Sequence, residues 1–427
     1  MSVAARTTGP ASEEPGPART VFARRLLVDE RVAVAGYRLV QPAGPMGPAA
    51  NGPFGPAVAS DAPMLMPEFP DASGGLAPSR HPNFLRCHGG DLTRSDGPTA
   101  VLDPAKVVLE MVPSPAGPTG GPPFDLASLR AARGAGFRLA FDVRWLLEDP
   151  RLVELAAFAL LPLAAVELDR AAGVARALHG QGVKQVVVTG VRTGREFDRL
   201  ASAGVRLFEG LWFARRALDG TARAAAASHA SLLRLMNLVR IEAELEEIED
   251  VLRREPTLSY RLLRYINTSG FGRHLEISSF RHAVMTVGMR RLFRWTAILL
   301  ASTPSDSLPP AAGALAITRG RVMELLAAET MAPAEAELAF VAGMFSMLDV
   351  LLDVPLPEAM SLVNLPGEVS AAVLEGTGAF APYLAMAKAC ESGDEGLIEI
   401  LAMRHSIPRD RMVQAHVRAL DWAERLD

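Results

Sequence analysis

The chain has 427 residues, of which 49% are hydrophobic and 22% charged, and its formal net charge is -4. A balance this close to neutral excludes a strong overall attraction to nucleic acids or acidic membranes. The only two cysteines, Cys87 and Cys390, exclude a disulfide framework and a cysteine-based zinc site, and they favour a cytoplasmic protein.

The N-terminal residues carry prolines and acids but lack the apolar core of a signal peptide, which predicts a disordered tail over 1–20. The longest apolar run, at 155–166, is shorter than the roughly 20 residues that span a bilayer. We therefore expect no membrane segment.

A strand-like segment at 21–40 carries Arg38 close to its end. The next segment, 41–80, contains 15 glycines or prolines, a composition that favours neither helix nor strand. It cannot easily offset its own ordering entropy, so we expect a disordered insertion.

Strands and helices then alternate, which is typical of a parallel sheet or barrel. Short apolar runs predict strands at 106–112, 137–143, 164–169, 183–191 and 205–213. Three-four apolar spacing predicts helices at 124–136, 150–159, 171–182 and 194–204. The pattern predicts an α/β domain over 21–216.

Past about residue 225 the three-four spacing continues without a convincing strand, which predicts an all-α domain over 228–427 and a boundary near 218–228. Within it, residues 254–295 resemble the signature of the HDOD domain. The matching positions, in order and spacing, are Pro256, Leu258, Ser259, Leu262, Leu263, Asn267, Ser269, Phe271, Ile277, Ser278, Ser279, Ala283 and Gly288.

The HDOD fold is similar to that of the metal-dependent HD phosphohydrolases, whose chemistry needs a consecutive His-Asp pair. The corresponding place here is 342–349, where Ser346 and Met347 stand instead. Neither side chain can replace an imidazole or a hard oxygen ligand, so we expect no metal chemistry in this half.

The N-terminal half resembles an EAL domain, the barrel that hydrolyses cyclic di-GMP with two divalent ions in its active members. The resemblance implies three retained site residues: Glu110, Asp142 and Asp169. It implies six positions where another residue replaces the family's: Arg38, Val143, Glu167, Thr189, Arg192 and Glu209. Residues 83–90 are the closest counterpart of a missing second strand.

These replacements predict an eroded, incomplete TIM-like barrel with no catalytic residue, metal or cofactor. Arg38 beside Glu110 and Asp142 predicts an ion-pair cluster, because a cation aimed into the site repels a divalent ion by a few kcal/mol. The function predicted is a non-catalytic signalling or scaffold protein, not an enzyme, that contacts other signalling proteins and is linked to cyclic di-GMP regulation.

A cyclic di-GMP receptor that binds without hydrolysis is the alternative, in which Arg38, Arg144 and Arg192 contact phosphates. An active phosphodiesterase is a third possible function. Nucleic-acid binding is not expected, because the nine arginines of 253–294 have no aromatic interleaving beyond Phe293 and Trp295 and no groove-reading motif.

Overall fold

A computed structural model describes residues 23–40, 80–94, 97–113, 124–215, 229–255, 257–261, 288–303 and 308–426. The predicted tail at 1–20, nearly all of the insertion at 41–80 and the whole boundary at 218–228 lie outside the described residues. So does most of the HDOD signature and of the arginine-rich stretch that overlaps it.

Eight strands form a closed barrel in chain order. They are β1 Ala23–Val28, β2 Val34–Val40, β3 Asn83–His88, β4 Val107–Val112, β5 Arg138–Asp142, β6 Ala156–Pro162, β7 Gln185–Val191 and β8 Leu207–Gly210. Strands β2 to β8 run parallel, and β1 pairs antiparallel with both β2 and β8.

The α/β fold class is confirmed, but the ring of strands is complete. The segment read from the sequence as one strand folds as the antiparallel β1–β2 hairpin, and β3 supplies the strand expected to be missing. The antiparallel β1 closes the barrel by pairing Leu27 with Glu209 and Val28 with Phe208.

The helices of the barrel half lie between the strands. They are α1 Pro98–Val101, α2 Leu126–Gly134, α3 Val143–Glu148, α4 Pro150–Val153, α5 Leu168–Gly180 and α6 Gly194–Ala201. Their starts follow the expected chemistry: Asp125 accepts hydrogen bonds from two amides of the first turn of α2, and Thr193 forms a capping box with Glu196 at α6.

One strand differs from the prediction. Residues 150–159, predicted as a helix, form the single turn α4 and then enter β6, whereas 164–169, predicted as a strand, form a 3-10 turn and the start of α5. The prediction failed because the apolar run at 155–166 is continuous, and a strand buried on both faces has the same composition as a buried helix.

The lumen of the barrel is filled by an apolar layer. Its members come from six strands and are Leu27, Phe84, Val108, Ala140, Phe158, Leu160 and Val187. Phe84 and Phe158 meet edge to face with centroids 5.0 Å apart. Because side chains alternate along a strand, a residue two positions from a layer member also faces the lumen.

The C-terminal half is helical over its described residues. Its helices are α7 Ala230–Arg240, α8 Leu245–Arg254, α9 Met289–Ser302, α10 Pro310–Ala327, α11 Pro333–Phe345, α12 Leu348–Leu352, α13 Leu356–Ser361, α14 Gly367–Ser370, α15 Ala381–Ser392, α16 Glu395–His405 and α17 Arg409–Glu424. In the described part of the chain, no helix is both long and apolar enough to cross a membrane.

Helix α10 is central to this half, since it packs against α9, α11, α15 and α17. It crosses α11 closely at two glycines: a Cβ on Gly343 would lie 2.7 Å from the Cα of Gly320. Two side chains at this point would not fit, so the close crossing requires glycine on both helices.

The two halves contact each other along β1. This strand packs against α15 and α17, and the Arg24 Nη1 donates to Asp421 Oδ1 of α17 at 2.6 Å. In the turn after β1, the Val32 carbonyl accepts a hydrogen bond of 2.9 Å from the Ala311 amide of α10.

Candidate binding site at the barrel mouth

A ring of polar side chains lies above the apolar layer, toward the carboxyl ends of the parallel strands. We call it the mouth ring. Its members follow from alternation and strand register, and they are Arg25, Arg38, Arg86, Glu110, Asp142, Thr189 and Glu209. Carboxyl ends of barrel strands are where such folds place their functional groups.

Arg38 stands at the centre of the mouth ring. Its Nε and Nη2 donate to Glu110 Oε2 and Oε1 at 2.6 and 2.7 Å, and its Nη1 donates to Glu209 Oε2 at 3.2 Å. The side chain is 13% exposed. Arg38 and Glu110 thus form the ion pair that the sequence predicts, in the two-pronged geometry that makes guanidinium–carboxylate pairs strong.

Two further arginines extend the pair into a chain of alternating charge. Arg86 donates to Glu110 Oε1 at 3.2 Å, and Arg25 donates to Glu209 Oε1 at 3.2 Å. The order is Arg25, Glu209, Arg38, Glu110, Arg86. Three cations face two anions, so these five groups carry one net positive charge, and Arg86, 46% exposed, offers its guanidinium to solvent.

The charges reinforce each other at this buried position. Burial alone would raise the pKa of Glu110, but Arg38 and then Arg86 outweigh it and lower that pKa to about 2. Burial opposes the charge of Arg38 as well, and the neighbouring Glu110 nevertheless raises its pKa. Glu110 and Arg38 are therefore both ionised at neutral pH.

Asp142 does not join the Arg38 cluster, contrary to the prediction. Its carboxylate caps α3 through the Arg144 amide and accepts from Arg144 Nε and Nη2 at 2.9 and 3.0 Å. The hydrogen bond to Asp142 raises the pKa of Arg144. Val143, the next residue, is buried at the start of α3.

Three other predicted positions lie off the ring. Glu167 and Asp169 are not on a strand: Glu167 precedes α5, and Asp169 in its first turn pairs with Arg199 of α6 at 2.8 Å. Arg192 is 78% exposed after the end of β7 and lies 4.0 Å from Glu196. Of the three predicted phosphate-contacting arginines, only Arg38 belongs to the mouth ring.

The pair of divalent ions that the EAL resemblance implies does not fit the mouth ring as it is arranged. Both oxygens of Glu110, Glu209 and Asp142 accept hydrogen bonds from arginine. Among the described residues, there is no cluster of three or more His, Cys, Asp or Glu side chains that could hold a metal ion. The arrangement favours anion binding through its arginines over cation binding through its carboxylates.

Sequence reasoning missed Arg25 and Arg86. The signal was available in the alternation of their strands: Arg86 follows the inward-facing Phe84 by two residues, and Arg25 precedes the inward-facing Leu27 by two. The polar ring could have been predicted once Phe84 and Leu27 were assigned to the lumen.

In the helical half, the place predicted for a His-Asp pair holds an ion-pair network. Arg319 of α10 donates to both carboxylate oxygens of Glu391 on α15, at 2.8 and 2.7 Å, and to Ser346 Oγ at 2.9 Å. Met347, the next residue, is fully buried. This buried network connects α10, α11 and α15.

Comparison with protein families identifies the C-terminal region. Residues 228–364 match the HDOD domain family. The chain is therefore an eight-stranded α/β barrel followed by a helical region that carries an HDOD domain.

Two curated bacterial proteins are similar to this chain. Cyclic di-GMP phosphodiesterase CdgJ of Vibrio cholerae is 27% identical over 269 residues, which covers 62% of this chain and 62% of that protein. The uncharacterized protein YuxH of Bacillus subtilis is 26% identical over 241 residues, covering 55% of this chain and 58% of that protein. The matches thus span less than two thirds of either relative.

A solved structure, Klebsiella pneumoniae BlrP1 in complex with calcium and cyclic di-GMP, matches 48% of this chain and 58% of its own at 20% identity, with a TM-score of 0.33. A likeness this distant assigns no function.

The sequence relationship corrects the predicted function. The prediction of a non-catalytic scaffold that is not an enzyme is wrong as it stands, because a relative found by sequence is a named cyclic di-GMP phosphodiesterase. The replaced positions read from the resemblance do not by themselves separate this chain from an enzyme.

Proposed function

We propose that the chain recognises cyclic di-GMP at the mouth of its barrel. The observation that carries this proposal is the mouth ring, where three guanidinium groups surround two carboxylates and leave one net positive charge. Phosphodiester oxygens are the acceptors that guanidinium forks match best. The ligand is named from the relative whose activity is directed at cyclic di-GMP.

The three arginines differ in solvent exposure, and we assign them different roles on that basis. Arg86 and Arg25 are 46% and 32% exposed and can reach a phosphate from the rim, whereas Arg38 is 13% exposed and holds the two carboxylates in place. In this arrangement Arg86 and Arg25 contact the ligand, and Arg38 keeps Glu110 and Glu209 from repelling it.

Calorimetry tests the proposal. We expect the full chain to bind cyclic di-GMP saturably in buffer containing EDTA, because the ring's positive charge comes from arginine. An R86M variant should bind about tenfold more weakly, the effect of losing one charge-assisted hydrogen bond of about 1.5 kcal/mol.

The matched control for R86M is R206M. Arg206 is also an exposed arginine in an ion pair, with Glu30 at 2.6 Å, but it precedes β8 and so lies at the opposite end of the barrel. R206M should bind like the unmodified chain. The absence of heat at high micromolar ligand, or equal weakening in both variants, would contradict binding at the mouth.

Hydrolysis of cyclic di-GMP is the second candidate, and the observation that favours it is the 27% identity to a phosphodiesterase. It is tested by incubating the full chain with the nucleotide and Mg²⁺ or Mn²⁺ and separating the products by chromatography. Appearance of linear dinucleotide that is lost in an E110Q variant would establish turnover at this barrel mouth. The absence of product with either ion would count against it.

A further inference from the structure

One arginine joins the mouth ring to the helical half. The Arg25 Nη1 donates to Glu209 Oε1 of the ring at 3.2 Å, and its Nη2 donates at 3.2 Å to the carbonyl of Gly393, which ends α15. The same guanidinium therefore binds a carboxylate inside the barrel and a backbone carbonyl of the other half.

A side chain at Gly393 would have to push the Arg25 guanidinium away. A Cβ on Gly393 would lie 2.7 Å from Arg25 Nε and 3.1 Å from its Nη2. Gly393 also has a φ of 63°, in the left-handed region that favours glycine. Glycine at this position thus satisfies both the helix end and the contact with the barrel.

The helical half fixes where this carbonyl lies. Two residues before Gly393, Glu391 is held by Arg319 of α10, which also donates to Ser346 at the end of α11. On the other face of β1, Arg24 is held by Asp421 of α17. The start of β1 is therefore bound to the helical half on both of its faces, through Arg24 on one and Arg25 on the other.

We propose that the helical half regulates anion binding at the barrel mouth by holding Arg25 on the Gly393 carbonyl. This inference rests on the proposed function and adds its control. An anion that draws the Arg25 guanidinium toward the mouth competes with the Gly393 carbonyl for it, so ligand binding and the position of α15 are coupled. By thermodynamic reciprocity, releasing Arg25 from Gly393 strengthens binding, and binding loosens the end of α15.

A matched pair of glycine variants tests the coupling. G393A places a Cβ against Arg25, whereas G376A introduces the same residue at a φ of 67° with nothing within 4 Å of the new Cβ. Both variants carry the backbone strain of a left-handed alanine, and G393A alone disturbs the guanidinium. In calorimetry, G393A should bind cyclic di-GMP between about twofold and tenfold more tightly than G376A, the value of one hydrogen bond no longer displaced.

Hydrogen exchange of the free protein gives a second measurement that needs no nucleotide. The Gly393 amide donates to the Ala389 and Cys390 carbonyls, so exchange in 389–393 reports the end of α15. An R25M variant should raise exchange in this segment at least threefold, whereas R206M should leave it unchanged. R25M also serves if G393A fails to fold.

The two proposals fail in different ways. If the chain binds no cyclic di-GMP, the proposed function fails, and the exchange of R25M still decides whether Arg25 couples the two halves. If G393A and G376A bind equally, or if R25M leaves exchange in 389–393 unchanged, regulation through Arg25 is wrong.

Discussion

Replacing Arg38 with methionine should destabilise the barrel by about 3 kcal/mol. Glu110 is only 4% exposed, and its pKa stands at about 2 against an ordinary 4.5. This lowering corresponds to about 3 kcal/mol in favour of the charged form after the cost of burial, and Arg38 is its largest favourable cause. Removing one partner of a buried ion pair typically costs about 3–5 kcal/mol, because the other charge is left uncompensated.

The loss of stability in the R38M variant is best measured within the barrel. Hydrogen exchange of peptides that cover β4 gives the opening free energy of the strand that carries Glu110. The matched control is R144M: Arg144 makes a similar two-pronged pair with Asp142, but it is 46% exposed, so its removal should cost less than about 1 kcal/mol. An R38M/E110M double variant should recover most of the stability, since two apolar side chains replace a buried pair.

The pH dependence has a defined sign. A carboxyl whose pKa is lower in the folded than in the unfolded protein contributes stability above its unfolded pKa and loses it as pH falls toward the folded value. The contribution of Glu110 should therefore be present above pH 4.5 and be lost toward pH 2, and R38M should flatten this loss. If R38M costs no more than R144M, or if the double variant is no more stable than R38M, the reasoning about a buried ion-pair chain is refuted.

Two further predictions concern stability in the helical half, and the control variant of the second lies in the barrel half. Burial and then the charge of Arg24 lower the pKa of His416 to about 4, so as pH falls the unfolded chain takes up a proton first and the folded state should lose up to about 3 kcal/mol between pH 6.5 and 4. Thermal unfolding across this range should show the loss in the unmodified chain and not in H416L. Equal dependence of stability on pH in the two proteins would disprove the assignment. G343A, whose new Cβ would meet Gly320, should destabilise by about 2–3 kcal/mol in urea unfolding, whereas G173A in the middle of α5, with nothing within 4 Å, should stabilise by about 0.5–1 kcal/mol. Equal effects of the two glycine variants would contradict the close crossing of α10 and α11.

Much of the barrel was predictable from local sequence. Short β-branched runs such as 183–191 and the capped helix at 194–204 specify their structure through nearest neighbours, so these elements agree closely with β7 and α6. The strand β6 was not predictable, because its apolar run lacks the alternation that separates a strand from a buried helix.

The sequence by itself determined the two kinds of domain, the HDOD signature and the presence of Arg38 and Glu110 near strand ends. Only the tertiary structure decided what those charges contact. Glu209 reaches Arg38 from 171 residues away, and Arg25 reaches Gly393 from 368 residues away. The physical reason is that barrel closure and domain docking bring together groups whose pairing depends on strand register and on packing. Neither of these is specified by the local sequence around each residue.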